Sequence, residues 1–312
     1  MVETASTQRQ RRTPELRAAP PPRGRVARGR WLPYGLLTLP FAVYGTFVLY
    51  PLATTVRLSF YEWDGLTTPT YAGMRNYVDL LRDDTFVAAL LHNGVFLVFY
   101  TVAPITLALL LTVLLTQEGT VRGLAVYRIG LFVPQVMPMV VVGVVWRWMY
   151  SPIDGAINEL LAVFGVDPTP FLGNSATALP AVGLVASWVQ YGFAMVLFMA
   201  GVQSIDRSLY DAAAVDGAGM WAKFRYVTLP GLRGPIVVAT TVSMIAALRV
   251  FDLVFVMTRG GPARRTTVVA FEIYQRAFLL REVGAAAAAA TVLVVLILVL
   301  SRLVLRFQTE PV

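Results

Sequence analysis

Few side chains in this 312-residue chain could do covalent or metal chemistry. There is no cysteine, which removes thiolate nucleophiles, disulfides and thiolate metal sites together. His92 is the single histidine and cannot build a multi-histidine metal site. Lys223 is the single lysine and follows Ala222, so no Walker A loop is present. Neither G-x-S-x-G nor H-E-x-x-H occurs. ATP hydrolysis and the familiar hydrolytic reactions are not expected of this chain, nor is a bound cofactor or metal. What remains is binding chemistry. Arg249 and Asp252 stand three apart in an apolar stretch, a spacing that shares one face of a helix. Charges in such a stretch either neutralise each other or face a cavity, and both readings stand. Trp188, Gln190 and Tyr191 interrupt a second apolar stretch near its middle. Their ring faces, amide and hydroxyl suit a polyhydroxylated solute, or serve interhelical packing. Arg147, between Trp146 and Trp148, has the pattern of a side chain reaching back to a membrane interface.

The elements that position these residues follow from composition. Hydrophobic residues make up 57% and charged residues 14%, where a soluble chain carries about 25% charge. Mean hydropathy is +0.65. Such a chain cannot cover its apolar surface in water, and the expected class is an all-α integral membrane protein. A bilayer core asks for about 20 apolar residues per helix. Six windows qualify: Leu32–Val56, Gly94–Leu115, Ile129–Met149, Ala178–Val202, Pro235–Met257 and Gly284–Leu300. With both termini cytoplasmic, 16 of the 24 cationic loop and tail residues fall inside and 8 outside, as the positive-inside rule favours. The chain then divides into a basic tail (1–31), a first transmembrane helix with an exported loop (32–90), a core (91–306) and a short tail (307–312). Eight arginines lie in the first thirty residues. Such a tail resembles a nucleic-acid arm, but immediately before a span it is a topology signal, and no nucleic-acid partner is expected. It lacks apolar periodicity, reads as disordered, and is not followed by a signal-peptidase site. The loop at 150–177 carries an amphipathic turn, Ile157–Phe164.

The segment 203–234 reads as a helical hairpin. Ser208 with Asp211 three residues on is a capping-box pattern, which predicts a helix over 209–215 ended by Gly217. A second helix over 220–227 brings Trp221, Phe224 and Arg225 to helical spacing, and Leu229-Pro230 stops it. Ala212, Ala213 and Ala214 give the first helix a smooth side, and Asp211 offers a carboxylate to a partner arginine. The match of 217–222 to G-x-G-x-x-A is coincidental, because no strand precedes it.

This hairpin resembles the E-A-A-x-x-D-G-A loop of binding-protein-dependent ABC importer permeases. The matches are Ala212, Ala213, Asp216, Gly217, Ala218, Phe224, Val227, Leu229 and Pro230, with Asp211 in place of the leading glutamate. Other segments resemble the carbohydrate, maltose-transporter-like branch: Phe251-Asp252, then Thr258-Arg259-Gly260-Gly261-Pro262 with arginine where glycine is common, Tyr274 with Ala277-Phe278, and Gly73 with Asn76-Tyr77. The resemblance implies a type I ABC importer permease fold with six transmembrane helices, in a bacterial inner membrane. It implies the first-type subunit of a permease heterodimer, two ATPase subunits that carry ATP and Mg, and an extracytoplasmic solute-binding protein. Docking to the ATPase would fall to Ser208, Tyr210, Asp211, Ala212, Ala213, Asp216, Gly217, Ala218, Phe224, Leu229 and Pro230. The substrate path would draw on Trp188, Gln190, Tyr191, Arg249 and Asp252. An ion-coupled secondary carrier is the alternative, and it has no need of such a hairpin.

Overall fold

The computed structural model describes residues 32–116 and 124–306. The two tails expected at 1–31 and 307–312 lie outside the described residues. Contacts divide the chain into two compact units, the first ending at Pro51. The first holds most of α1 (Leu36–Leu58), a membrane-length apolar helix with none of its window buried.

In the second unit the end of α1 is followed by a short antiparallel pair, β1 (Tyr61–Glu62) and β2 (Thr70–Tyr71), with Tyr61 opposite Tyr71. α2 (Arg75–Arg82) follows, then α3 (Asp84–Leu114), whose cap is Asp83 accepting the Thr85 N–H at 2.8 Å. α4 (Leu124–Val136) and α5 (Met139–Met149) share the third apolar window, yet bend by 104° between them. The expected continuous third helix is therefore corrected. Pro138 has no N–H to give and disfavours the helical conformation of Met137 before it.

After α6 (Ala156–Val163) comes α7 (Ala178–Gln203), the innermost helix, with 72% of its apolar window buried. α8 (Arg207–Val215) and α9 (Met220–Gly231) form the hairpin, and α10 (Arg233–Leu248) leaves α9 at 68°. α10 ends before the fifth window does, and α11 (Asp252–Met257) completes that window after a break at 249–251. Sixteen residues span about 24 Å at 1.5 Å each, short of a bilayer core. α12 (Val269–Tyr274) and α13 (Val283–Arg306) close the chain. Among the described residues, four helices are long and apolar enough to cross a membrane, or up to six if each bent pair is one crossing.

Close approach sets the core. A Cβ on Gly183 of α7 would run into the Phe99 ring of α3, and one on Gly284 of α13 would overlap the Tyr61 carbonyl. The run of small residues that opens the last helix, Gly284 to Ala290, thus meets strand backbone at its start. Beyond it, Ala288 and Ala289 pack in a cluster with Leu80, Met244 and Leu248.

Candidate functional site

Two places gather the residues with binding chemistry: a cavity at the break after α10, and the hairpin of α8 and α9.

The cavity holds about 360 Å³ and is lined by Tyr100 of α3, Met139 of α5, Gln190 of α7, the end of α10 with Arg249, and Asp252 at the start of α11. Gln190 is buried and donates Nε2–H to Ser243 Oγ at 2.9 Å, which leaves its amide oxygen to the cavity. Arg249 and Asp252 are both exposed. They share the cavity but not a helical face, because Arg249 ends α10 and Asp252 begins α11. No ion pair joins them among the described residues, so the neutralising-pair reading is corrected: the backbone turn separates the two side chains. An arginine fork and a carboxylate beside an amide and a phenol make a wall rich in hydrogen-bonding groups with no net charge.

The break is held from a distance. Ending a helix orphans its last carbonyls. Buried Asn93 of α3 donates Nδ2–H to the carbonyls of Ala247 (3.1 Å) and Leu248 (3.2 Å), and its Oδ1 accepts the Val269 N–H of α12 at 2.9 Å. Phe251 packs on Phe255 at 5.2 Å and on Tyr274 at 5.5 Å. Arg259, where the resembling pattern has glycine, adopts φ +52°, the left-handed region that favours glycine. Thr266 Oγ1 donates to the Gly261 carbonyl at 2.7 Å and ties the Gly260-Gly261-Pro262 loop shut.

Below this loop, Arg276 binds three acids. Its Nε donates to Glu272 at 3.0 Å, one Nη contacts Glu282 at 3.4 Å, and the other meets Asp83. Burial works against the Asp83 charge. The Thr85 N–H and the Arg276 guanidinium outweigh it and hold the carboxyl below its ordinary value.

Trp188 and Tyr191 do not line the cavity. The Trp188 ring stands edge-on to Trp146 at 5.3 Å, in a group that continues through Tyr150 to Phe171. Tyr191 is buried. Of the five path residues, the structure brings Gln190, Arg249 and Asp252 together. Tyr100, Ser243 and Asn93 were missed. Their signal is a polar atom inside an apolar window or, for Asn93, at its very edge, which must find a partner.

In the hairpin, α8 is capped by Asp206, not by a Ser208–Asp211 box. Asp206 Oδ1 accepts the Ser208 N–H at 2.9 Å, and these bonds draw its carboxyl below the ordinary value. An aspartate two residues upstream outcompetes the serine because it is charged and faces the N-terminal end of the helix dipole. Gly217 ends α8 as expected: its φ is +74°, the Gly217 N–H reaches Ala214 O at 3.0 Å, and the Ala218 N–H reaches Ala213 O at 2.8 Å. Leu229-Pro230 does not stop the second helix, which runs to Gly231. A π turn over Phe224–Thr228 precedes the proline and opens the carbonyl ladder its ring would otherwise meet. Tyr210 Oη meets Thr228 Oγ1 at 2.9 Å and joins the two helices. Asp211, Ala212, Asp216 and Pro230 are exposed, Ala213, Ala218, Phe224 and Leu229 half-buried, and Val215 is 88% exposed.

A helical membrane chain with a surface hairpin of this pattern and a cavity at a broken helix fits one family. The chain belongs to the binding-protein-dependent transport system inner membrane components, whose family model matches residues 90–309. It is a permease subunit of that class of importer and a multi-pass membrane protein. Among its relatives is the diacetylchitobiose uptake system permease protein NgcF of Streptomyces coelicolor, 33% identical over 316 residues that cover 97% of this chain and 90% of the relative. The lactose transport system permease protein LacF of Rhizobium radiobacter is 32% identical over 241 residues, 76% of this chain and 80% of that one. A chain in the crystal structure of a bacterial alginate ABC transporter in complex with alginate pentasaccharide-bound periplasmic protein superposes with a TM-score of 0.75. It is 25% identical and aligned over 90% of this chain and 96% of that one.

Proposed function

We propose that this chain is the sugar-conducting half of an ATP-driven importer, crossing the membrane six times with both termini in the cytoplasm. A second permease subunit completes the path, an extracytoplasmic binding protein delivers the sugar, and two ATPase subunits, which carry ATP and Mg, dock on the hairpin of α8 and α9. The observation that carries the substrate reading is the convergence of Gln190, Arg249 and Asp252 on one cavity at a helix break. Discontinuous helices are where transporters expose backbone and polar groups to a solute. The relatives named for diacetylchitobiose, lactose and alginate support a sugar cargo. Asp211 and the exposed face around it support docking, since a bare carboxylate beside alanines gives a partner arginine close access.

The test is uptake of radiolabelled oligosaccharides into proteoliposomes holding the assembled importer. Arg249→Gln and Gln190→Ala are expected to lower uptake while the subunits still co-purify. Unchanged uptake in both would remove the cavity from the path. Uptake driven by an ion gradient without ATP would replace the importer with a secondary carrier.

A further inference from the structure

α6 presents an exposed apolar side away from its buried Asn158. Its inner side is fixed by the fold. Ile157 packs against the cluster that contains Tyr150 and Phe171. Asn158 is buried, donates Nδ2–H to the carbonyls of Ser151 (2.9 Å) and Thr169 (3.2 Å), and accepts the Thr169 N–H at 2.9 Å. Gly155, just before the helix, has no room for a Cβ against the backbone of Ser151 and Met149. The chain therefore doubles back on itself at once, and α6 is tied to the level at which α5 ends.

At about 100° per residue, Ala156, Leu160, Val163 and Phe164 fall on the side away from buried Asn158. All four are exposed, Val163 at 79%, and Ile153 in the preceding turn is 92% exposed. Glu159 lies at the flank of this side. What covers it follows from the residues just upstream. Arg147 and Trp148, in the last turn of α5, are both exposed. Tryptophan and arginine at the end of an apolar helix settle at the membrane–water boundary. The bond from Asn158 to Ser151 holds α6 three residues past Trp148, at that boundary. The exposed side offers no hydrogen-bonding side chain, as contact with acyl chains requires.

We propose that α6 is an interfacial helix whose Leu160–Val163–Phe164 side lies in the headgroup–acyl boundary of the leaflet where α5 ends, so that its partner is the lipid surface. Seated there, α6 fixes the depth of Thr169 and, through it, of the Phe171–Tyr150–Trp146–Trp188 ring group.

The cysteine-free chain makes the test direct. Spin labels are placed singly through Leu160→Cys, Val163→Cys and Glu159→Cys. The full chain, together with the subunits that co-purify with it, is put in nanodiscs of phosphatidylethanolamine and phosphatidylglycerol. Collisions with oxygen, which concentrates in the bilayer, are compared with those of a water-soluble nickel chelate. The oxygen-to-nickel ratio is expected to be severalfold higher at positions 160 and 163 than at 159. Nickel access at 160 and 163 equal to that at 159 would place the face in water. Shielding from both reagents would place it against protein. Either result overturns the proposal, and neither bears on the cavity or the hairpin.

Discussion

The frame around Asn93 and Arg276 and the hairpin around Asp211 both interrupt an apolar chain with polar groups, but they are bonded in opposite ways. In the frame, every polar side chain closes on this chain itself: Asn93 spends both ends of its amide on α10 and α12, and Arg276 gathers Asp83, Glu272 and Glu282. In the hairpin, one side-chain bond, Tyr210 to Thr228, joins the helices, and Asp211 and Asp216 point to solvent with no ion pair among the described residues. The first region is complete in one chain and serves to hold a break in place. The second presents exposed, unpaired acids to solvent, as the proposed docking of a partner requires. Loss of stability should therefore follow changes in the frame, and loss of assembly should follow changes in the hairpin.

The sharpest way to break this contrast is Asn93→Leu. It leaves the Ala247 and Leu248 carbonyls and the Val269 N–H without their partner, at about 1–3 kcal/mol for each unsatisfied buried group. The variant should unfold at clearly lower temperature in detergent and lose uptake, and a normal melting temperature would mean that the break holds itself. Asp211→Arg should do the reverse. Melting should stay as it was, while co-purification of the ATPase falls, as an interface does when it loses about 2–5 kcal/mol with a buried charge pair.

A smaller effect tests the Arg276 knot through pH. The folded Asp83 carboxyl is held below its ordinary value, so its contribution is complete above about pH 4, the unfolded carboxylate range, and is lost as pH falls through the folded value. Asp83→Asn should lower stability near neutrality, where that contribution is complete, and converge on the parent protein as pH falls through the folded value, which flattens the acid limb. Identical acid limbs would show that the Arg276 contact adds no stability. The smallest expected effect separates two caps. Asp206→Ala should fray the start of α8, read as faster amide exchange there, whereas Ser208→Ala should have the smaller effect because the Ser208 backbone N–H, which it keeps, is the capped donor. Equal effects would restore the Ser208–Asp211 box.

What was legible in the residues was local. Gly217 ends its helix through its own φ, and the alanines lie within one turn of Asp211, so the hairpin could be read almost to its caps. The 104° bend carried a signal in Pro138 that hydropathy alone passes over. The break at 249–251 carried none. Nothing in Leu248-Arg249-Val250-Phe251 is a helix breaker, and the carbonyls it frees are taken by Asn93, 154 and 155 positions away in sequence. Arg249 and Asp252 were for that reason found as residues, while the choice between a mutual pair and a cavity wall stayed open until the break was seen. Trp188 and Gln190, two apart, point to different surroundings, which only the packing of α7 decides.

The central claim is that the α8–α9 hairpin is where ATP hydrolysis reaches this membrane subunit. Val215→Cys, on the most exposed apolar residue of α8, tests it directly with a short thiol-to-amine crosslinker in inside-out vesicles. The account predicts a crosslink from Val215→Cys to the ATPase subunit whose yield changes when ATP is trapped against hydrolysis. Labelling of Val215→Cys by an impermeant reagent from outside intact cells, with no crosslink to the ATPase, would contradict it.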